Sequence, residues 1–297
     1  MKDDFFKQYP YLCSTFSINK NTKIERKTVE AGALISPYRL DFMAKLLWIE
    51  AFEGRGDKAE ADKLYEAHLQ AFSSGTMVEP GKPEKKGLNR YYDSFSQICS
   101  VVRETECETI EYGDPIPVDG KYMAMDGSHR ICAAVFYEKK VPIYQVFRAI
   151  PNKYDYLFFQ NRYLGETDIL KMVKKYVSLC ECRLFLLDKA YANRRRIKKI
   201  YRECAPVYMR KIKSCECFVI IDRNWIERYT NPWVTEELLG TQFVEGAEAI
   251  LECISDREAE LLKRDSLYEY RKKWGMFCKK HLEFFKRWIK QLLGKPV

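Results

Sequence analysis

The spacing of apolar residues changes several times along the chain, and each change predicts an element. Residues 1–35 are polar and show no sustained period, so an irregular lead-in is expected there. From Ser36-Pro37 a helical rhythm takes over, with Tyr38, Phe42, Leu46 and Ile49 three or four positions apart. Ser36 is suited to cap this helix and Pro37 to fill its first position, where a missing N–H costs nothing. Gly54 and Gly56 end it. A second helix is expected from Lys58 to Phe72, with Leu64, Ala67, His68 and Ala71 on one face. Residues 77–90 hold two prolines, two glycines and four Lys or Arg, the composition of a surface loop.

Tyr91 to Arg103 reads as a further helix. Next come two short strand patterns, Ile116-Pro117-Val118 and Tyr122-Met123-Ala124-Met125, then Asp126-Gly127-Ser128-His129-Arg130 as a tight turn. A helix from Ile131 to Tyr137 and a strand from Val141 to Phe147 complete this stretch. Beyond Pro151, Asp168–Tyr176 predicts a helix, Arg183–Leu187 a strand and Ala192–Glu203 a basic helix. Val207–Ile212 and Cys217–Ile221 predict strands, followed by helical segments broken at Gly240 and Gly246.

The fold class expected is α+β. Residues 1–35 form the lead-in, and 36–150 a helical segment plus a small α/β domain. A second small α/β region spans 151–255, and a basic amphipathic helix 256–297.

Composition narrows the function classes. The chain has 297 residues, 46% hydrophobic and 14% aromatic, enough to bury a core. A net charge of +9 suits anionic partners without choosing among nucleotide, nucleic acid, phosphosugar or acidic lipid. No apolar run is long enough for a membrane span and no apolar leader follows Met1, so a cytoplasmic protein is expected. The eleven cysteines are an odd number without a secretion signal, and buried thiols are the expectation.

The chemistry concentrates in residues 126–130. Gly127 allows a sharp bend and a close backbone approach to a ligand. The amides opening the next helix, together with its dipole, favour an anion such as phosphate. Arg130 can add a forked clamp, Ser128 a hydroxyl, and His129 a hydrogen bond or a proton near neutral pH. Asp126 is suited to holding Mg²⁺ beside phosphates or to accepting a proton from an attacking hydroxyl. It is equally suited to pinning its own turn.

The run from Ile116-Pro117-Val118 to Met125-Asp126-Gly127-Ser128-His129-Arg130, leading into Ile131-Cys132-Ala133-Ala134, resembles the ParB/sulfiredoxin superfamily signature over residues 114–147. The resemblance implies a nucleotide phosphate on the Gly/Arg turn. It also implies one of several activities: CTP and DNA binding by partition proteins, ATP-dependent repair by sulfiredoxin, or phosphoryl transfer by free-serine kinases. Sulfiredoxin needs a cysteine where Ser128 stands. Partition proteins carry a helix-turn-helix domain where this chain reads as α/β. The His-Arg turn is closer to the kinase-like branch and to ParB-like proteins of bacterial polysaccharide loci. The reading that follows is a phosphotransferase using a nucleoside triphosphate, ATP in the first instance, and Mg²⁺ on a small hydroxyl-bearing metabolite or sugar. The alternative is a non-enzymatic nucleotide- or DNA-binding module.

Other candidates surround this turn. Arg39, with Asp41 and Lys45 on the same helix, is a candidate phosphate ligand, as are Lys82 and Lys86 in the basic loop that also holds Lys85. That loop could fold over a nucleotide as a lid, with Glu79 as a general base, or simply be solvated. Cys180-Glu181-Cys182 and Cys215-Glu216-Cys217 offer four thiols for zinc or, as the commoner outcome, for the core. Arg194–Arg196, Lys198, Lys199, Arg210, Lys211 and Lys213 form a band able to track nucleic acid or to face water. Within 272–292, aromatic residues alternate with Lys and Arg at helical spacing, as in a helix docked on a core or lying on an anionic membrane.

Overall fold

The computed structural model describes residues 2–79, 82–188, 193–212 and 216–262, leaving aside the side chains of 79 and 82–85. Met1–Asp256 form one compact unit, and Arg257–Val297 a second, whose described part holds the short helix Glu258–Leu261. The division expected near residue 150 falls inside the first unit. The helix expected over 272–292 lies outside the described residues.

The fold is α+β. Two short helices, α1 (Lys2–Gln8) and α2 (Pro10–Thr15), precede strand β1 (Ile24–Glu30), where an irregular lead-in was expected. Phe5, Tyr9, Leu12 and Phe16 recur at spacings of four, three and four, a helical period the expectation overlooked, and the first three are buried in one cluster with Ile24, Tyr144 and Val146.

Helix α3 (Asp41–Phe52) starts later than Ser36-Pro37 predicts. Tyr154 N–H donates to Tyr38 O at 2.7 Å, and Leu40 N–H to Tyr154 O at 3.0 Å, so residues 38–40 are held as a bridge before the helix begins. Ser36 Oγ caps nothing and has no hydrogen-bond partner among the described residues. Helix α4 (Lys58–Phe72) follows, capped by Asp57, which accepts from Glu60 N–H. The predicted loop contains a small irregular hairpin, β2 (Val78–Glu79) with β3 (Lys82–Lys86), ahead of α5 (Leu88–Glu104). Trp48 of α3 stacks on Phe95 of α5 at 4.9 Å, and Tyr65 of α4 packs beside both, giving these helices an aromatic interior.

Strand β4 (Ile116–Asp119), helix α6 (Ser128–Phe136) and strand β5 (Lys140–Val146) form a β-α-β crossover. β4 runs parallel to β5, and β1 pairs antiparallel on the other edge of β5, giving the order β1-β5-β4. The strand expected over 122–125 shrinks to one bridge, Val118 with Ala124. Asp119 Oδ1 accepts from both Lys121 and Met123 amides at 2.8 Å, curling the chain where an extended segment would have run on.

Helices α7 (Tyr156–Asn161) and α8 (Glu166–Leu179) lead to the second main sheet. It is built from β6 (Cys182–Asp188), α9 (Arg194–Cys204), β7 (Tyr208–Lys211), β8 (Glu216–Asp222), α10 (Arg223–Tyr229), α11 (Pro232–Leu239), β9 (Val244–Glu245) and α12 (Ala247–Asp256). Its order is β7-β8-β6-β9, antiparallel throughout, over a core that includes Phe185, Ile200, Val219, Ile221 and Leu238. Among the described residues, no helix is long and apolar enough to cross a membrane.

Candidate functional site

Residues 120–127 return the chain from the end of β4 to the start of α6, so the Asp126–Arg130 turn lies between a parallel strand and its crossover helix. Gly127 sits in the left-handed region at φ 74° and directly precedes α6. An ideal Cβ there would lie 3.1 and 3.2 Å from the Ile116 side chain, so the close approach of turn to strand requires glycine. Asp126 Oδ1 accepts from the Gly127 amide at 2.6 Å, the turn-pinning role the sequence left open. Gly127, at the N-cap position, has no side chain with which to cap α6.

A cavity of about 720 Å³ opens beside this turn. Asp126, Ser128 and Arg130, all half-buried, line one part of it. Arg130 is fixed by the loop before β4, where its Nη1 donates to the carbonyl oxygens of Tyr112, at 3.3 Å, and Asp114. Gly113, at φ 77°, lets that loop lie flat against the guanidinium, since a Cβ there would be 2.8 Å from Nη1. The Tyr9 hydroxyl donates to Pro115 O at 2.9 Å. Burial pushes its pKa up to about 12 even though the Arg130 charge opposes the rise.

The deeper wall carries a second group of charges. Arg39 and Lys45 are each 3% exposed and Asp41 is fully buried. Arg39 holds Asp41 through Nε to Oδ1 at 2.8 Å and Nη2 to Oδ2 at 2.9 Å, while Nη1 donates to Ala124 O. Lys45, one turn on, donates to Asp41 Oδ2 at 2.9 Å. Burial alone would raise the Asp41 pKa, but Arg39 and Lys45 overcome it and hold the carboxyl far below the usual carboxylate range. Phe42 and Tyr154 flank the Arg39 guanidinium, at 4.3 and 5.2 Å from their ring centres. His68 of α4 completes this wall, fully buried among Tyr65, Phe72 and Phe159. Neither of its ring nitrogens makes a well-formed hydrogen bond among the described residues, and burial, then the Lys45 charge, lowers its pKa to about 3 against a weaker opposing contact with the Tyr65 backbone.

The structure therefore brings Arg39, Asp126, Ser128, His129 and Arg130 to one cavity. His129 also reaches into the aromatic core. It is 8% exposed, packs on Phe95 at 4.5 Å, and its Nε2 shares a 2.8 Å hydrogen bond with the Tyr65 hydroxyl. At that nitrogen it anchors the turn in the aromatic core, which makes it a positioning residue. Lys86 is exposed at the end of β3 and does not line the cavity. The side chains of Glu79, Lys82 and Lys85 lie outside the described residues. Sequence reading did not find the Tyr9 contact, the Tyr112–Asp114 support or the orphaned His68. His68 showed there only as one residue on a helix face. Tyr112-Gly113-Asp114 carries a turn signal, but nothing in the sequence says which side chain it supports.

Among the described residues, no three His, Cys, Asp or Glu side chains come together as a metal site. A magnesium ion at this turn would rest on Asp126 and on phosphates arriving with a ligand, as that ion commonly does. The zinc arrangement fails on register. Cys182 pairs with Asp222 and Cys217 with Leu187, five residues apart along the β6–β8 ladder, roughly 17 Å at strand spacing. Cys215 lies outside the described residues. Much of the predicted basic band is also occupied. Arg196 donates to Leu238 and Glu237 carbonyls at 2.8 and 3.0 Å, Lys199 pairs with Glu237 at 3.2 Å, and Arg210 with Glu166 at 2.8 Å. No family model matches the chain, and neither does any curated protein or solved structure compared with it.

Proposed function

We propose that this cavity binds a nucleoside triphosphate and passes its terminal phosphoryl group to a hydroxyl of a small acceptor, on a turn of ParB/sulfiredoxin type. One observation carries the reading. Arg130, Ser128 and the start of α6 meet Asp126 on a single cavity. Cationic side chains and helix-start amides are what a transferring phosphoryl group needs, because its transition state is stabilised chiefly by position and charge. Asp126 is the candidate base. The acceptor oxygen bonds to the terminal phosphorus, the bond to the bridging oxygen breaks, the proton passes to Asp126 and the nucleoside diphosphate leaves. Mg²⁺ bound with the nucleotide would neutralise phosphate charge beside Asp126. Aromatic walls that include Tyr11, Phe72 and Tyr154 offer faces for the base or the acceptor. A cytoplasmic location suits such a cosubstrate.

Calorimetry with ATP and Mg²⁺, paired with transfer of labelled terminal phosphate into a metabolite pool, tests this. Arg130→Ala should weaken nucleotide binding by about tenfold or more, as loss of a charge-assisted contact does. Asp126→Asn should keep binding but slow transfer by about 100-fold or more. Unchanged affinity in Arg130→Ala, with the fold intact, rules out the cradle.

A further inference from the structure

The deep wall of the cavity holds more positive charge than its protein neighbours balance. Arg39 and Lys45 each carry one positive charge and Asp41 one negative, and all three are buried. Both Asp41 oxygens are already engaged, Oδ1 by Arg39 and Oδ2 by Arg39 and Lys45. The Lys45 ammonium has three donors, and the acceptors it finds are Asp41 Oδ2 and, at 3.4 Å, Asp41 O. Beside it His68 is fully buried, and its ring nitrogens make no well-formed hydrogen bond among the described residues, only a weak contact with the Tyr65 backbone. An uncompensated buried cation and an orphaned imidazole are each costly, and a folding core gains nothing from having both on one cavity wall.

We propose that this wall is a subsite for one carboxylate, held by Lys45 and His68 with Arg39 behind them, so that the molecule entering the cavity is a carboxylic acid. The surplus of one positive charge matches a single negative charge. A second phosphate would bring up to two and leave the wall overcharged. Size agrees, since a cavity of about 720 Å³ has room for a group at this wall and another at Ser128 and Arg130. The carboxylate belongs to the acceptor in the phosphotransfer reading, so the inference rests on that reading for its role, though not for its test.

The test uses the full chain labelled with ¹⁵N-histidine, which has three histidines in all. The His68 resonance is assigned by its loss in His68→Phe. Sodium acetate is titrated against sodium chloride at constant ionic strength, and inorganic phosphate in a parallel series. Acetate should shift the His68 signal saturably, with affinity lowered about tenfold or more in Lys45→Met and unchanged in Arg130→Ala. Phosphate binding, followed by calorimetry, should show the reverse dependence. A His68 signal that acetate and chloride move alike, or an acetate affinity indifferent to Lys45→Met, overturns the subsite. Should Lys45→Met not fold, the wild-type acetate and chloride titrations decide alone. Acetate binding without phosphate binding keeps the subsite and removes the phosphotransfer reading.

Discussion

Asp41 accepts hydrogen bonds from two buried cations, and the two cations do not depend on it equally. Removing its charge leaves Arg39 and Lys45 facing each other with nothing between them. Asp41→Asn should therefore cost about 3–5 kcal/mol in urea denaturation, the usual cost of breaking a buried ion pair from one side. Lys45→Met removes the surplus charge and leaves the two-pronged Arg39–Asp41 pair intact. Its stability should stay within about 1 kcal/mol of wild type, a result that equal losses in both variants would contradict. His68 adds a pH signature. Burial first, then the Lys45 and Arg39 charges against the weaker pull of Asp41, lowers its folded pKa from 6.5 to about 3. Between those values the unfolded chain binds a proton that the folded chain does not. Stability from this group is thus complete above pH 6.5 and is lost as pH falls toward 3, by about 1.4 kcal/mol per pH unit. Denaturation midpoints of His68→Phe should be flatter than wild type between pH 6.5 and 4.5. Parallel curves would show that His68 titrates normally.

At the scale of elements, the site depends on one glycine where a strand hands over to a helix. Gly127→Ala keeps the helix-forming residues of α6 but places a Cβ against Ile116 in a left-handed backbone. A loss of about 1–2 kcal/mol is expected, together with weakened phosphate affinity, because the turn and the Arg130 guanidinium must shift together. Retention of both stability and affinity would show that the turn tolerates a side chain. Elements with a strong period were legible in the sequence: α4 runs from Lys58 to Phe72 as its apolar face indicates, and β4, β5, β6 and β8 fall on short apolar runs. The α6 turn was legible for the same local reason. Elements whose burial is decided by distant partners were not. Phe5 of α1 and Tyr9, at the junction with α2, are buried with Tyr144, more than a hundred residues away. The delayed start of α3 comes from Tyr154. His129 looked reactive beside Arg130, yet Tyr65, from another helix, takes its Nε2. The charge of the deep wall was half legible, since Arg39, Asp41 and Lys45 share one segment. The missing partner for His68 is a property of the packed interior alone.

For the whole molecule, the net charge of +9 is unevenly distributed. Residues 257–297 contain twelve Lys and Arg against five Asp and Glu, +7 of the total, which leaves +2 for residues 1–256. Within the first unit, much of the basic α9 and β7 surface is paired with Glu237, Glu166 and helix-end carbonyls. Long-range attraction to polyanions should therefore come from the second unit, whereas ligand binding in the cavity depends on short contacts shielded from salt. Two kinds of anion binding should then separate in one protein. A chain ended after Asp256 should elute from heparin at much lower salt than the full chain and fail to shift duplex DNA at low ionic strength. Its phosphate affinity, measured by calorimetry, should match that of the full chain. In the full chain, DNA or anionic-vesicle binding should fall steeply between 50 and 200 mM salt, as counterion release requires, while phosphate binding changes little over the same range. If the shortened chain still binds DNA with a steep salt slope, the first unit carries a polyanion surface of its own, and the reading as a non-enzymatic DNA-binding module takes precedence over phosphoryl transfer.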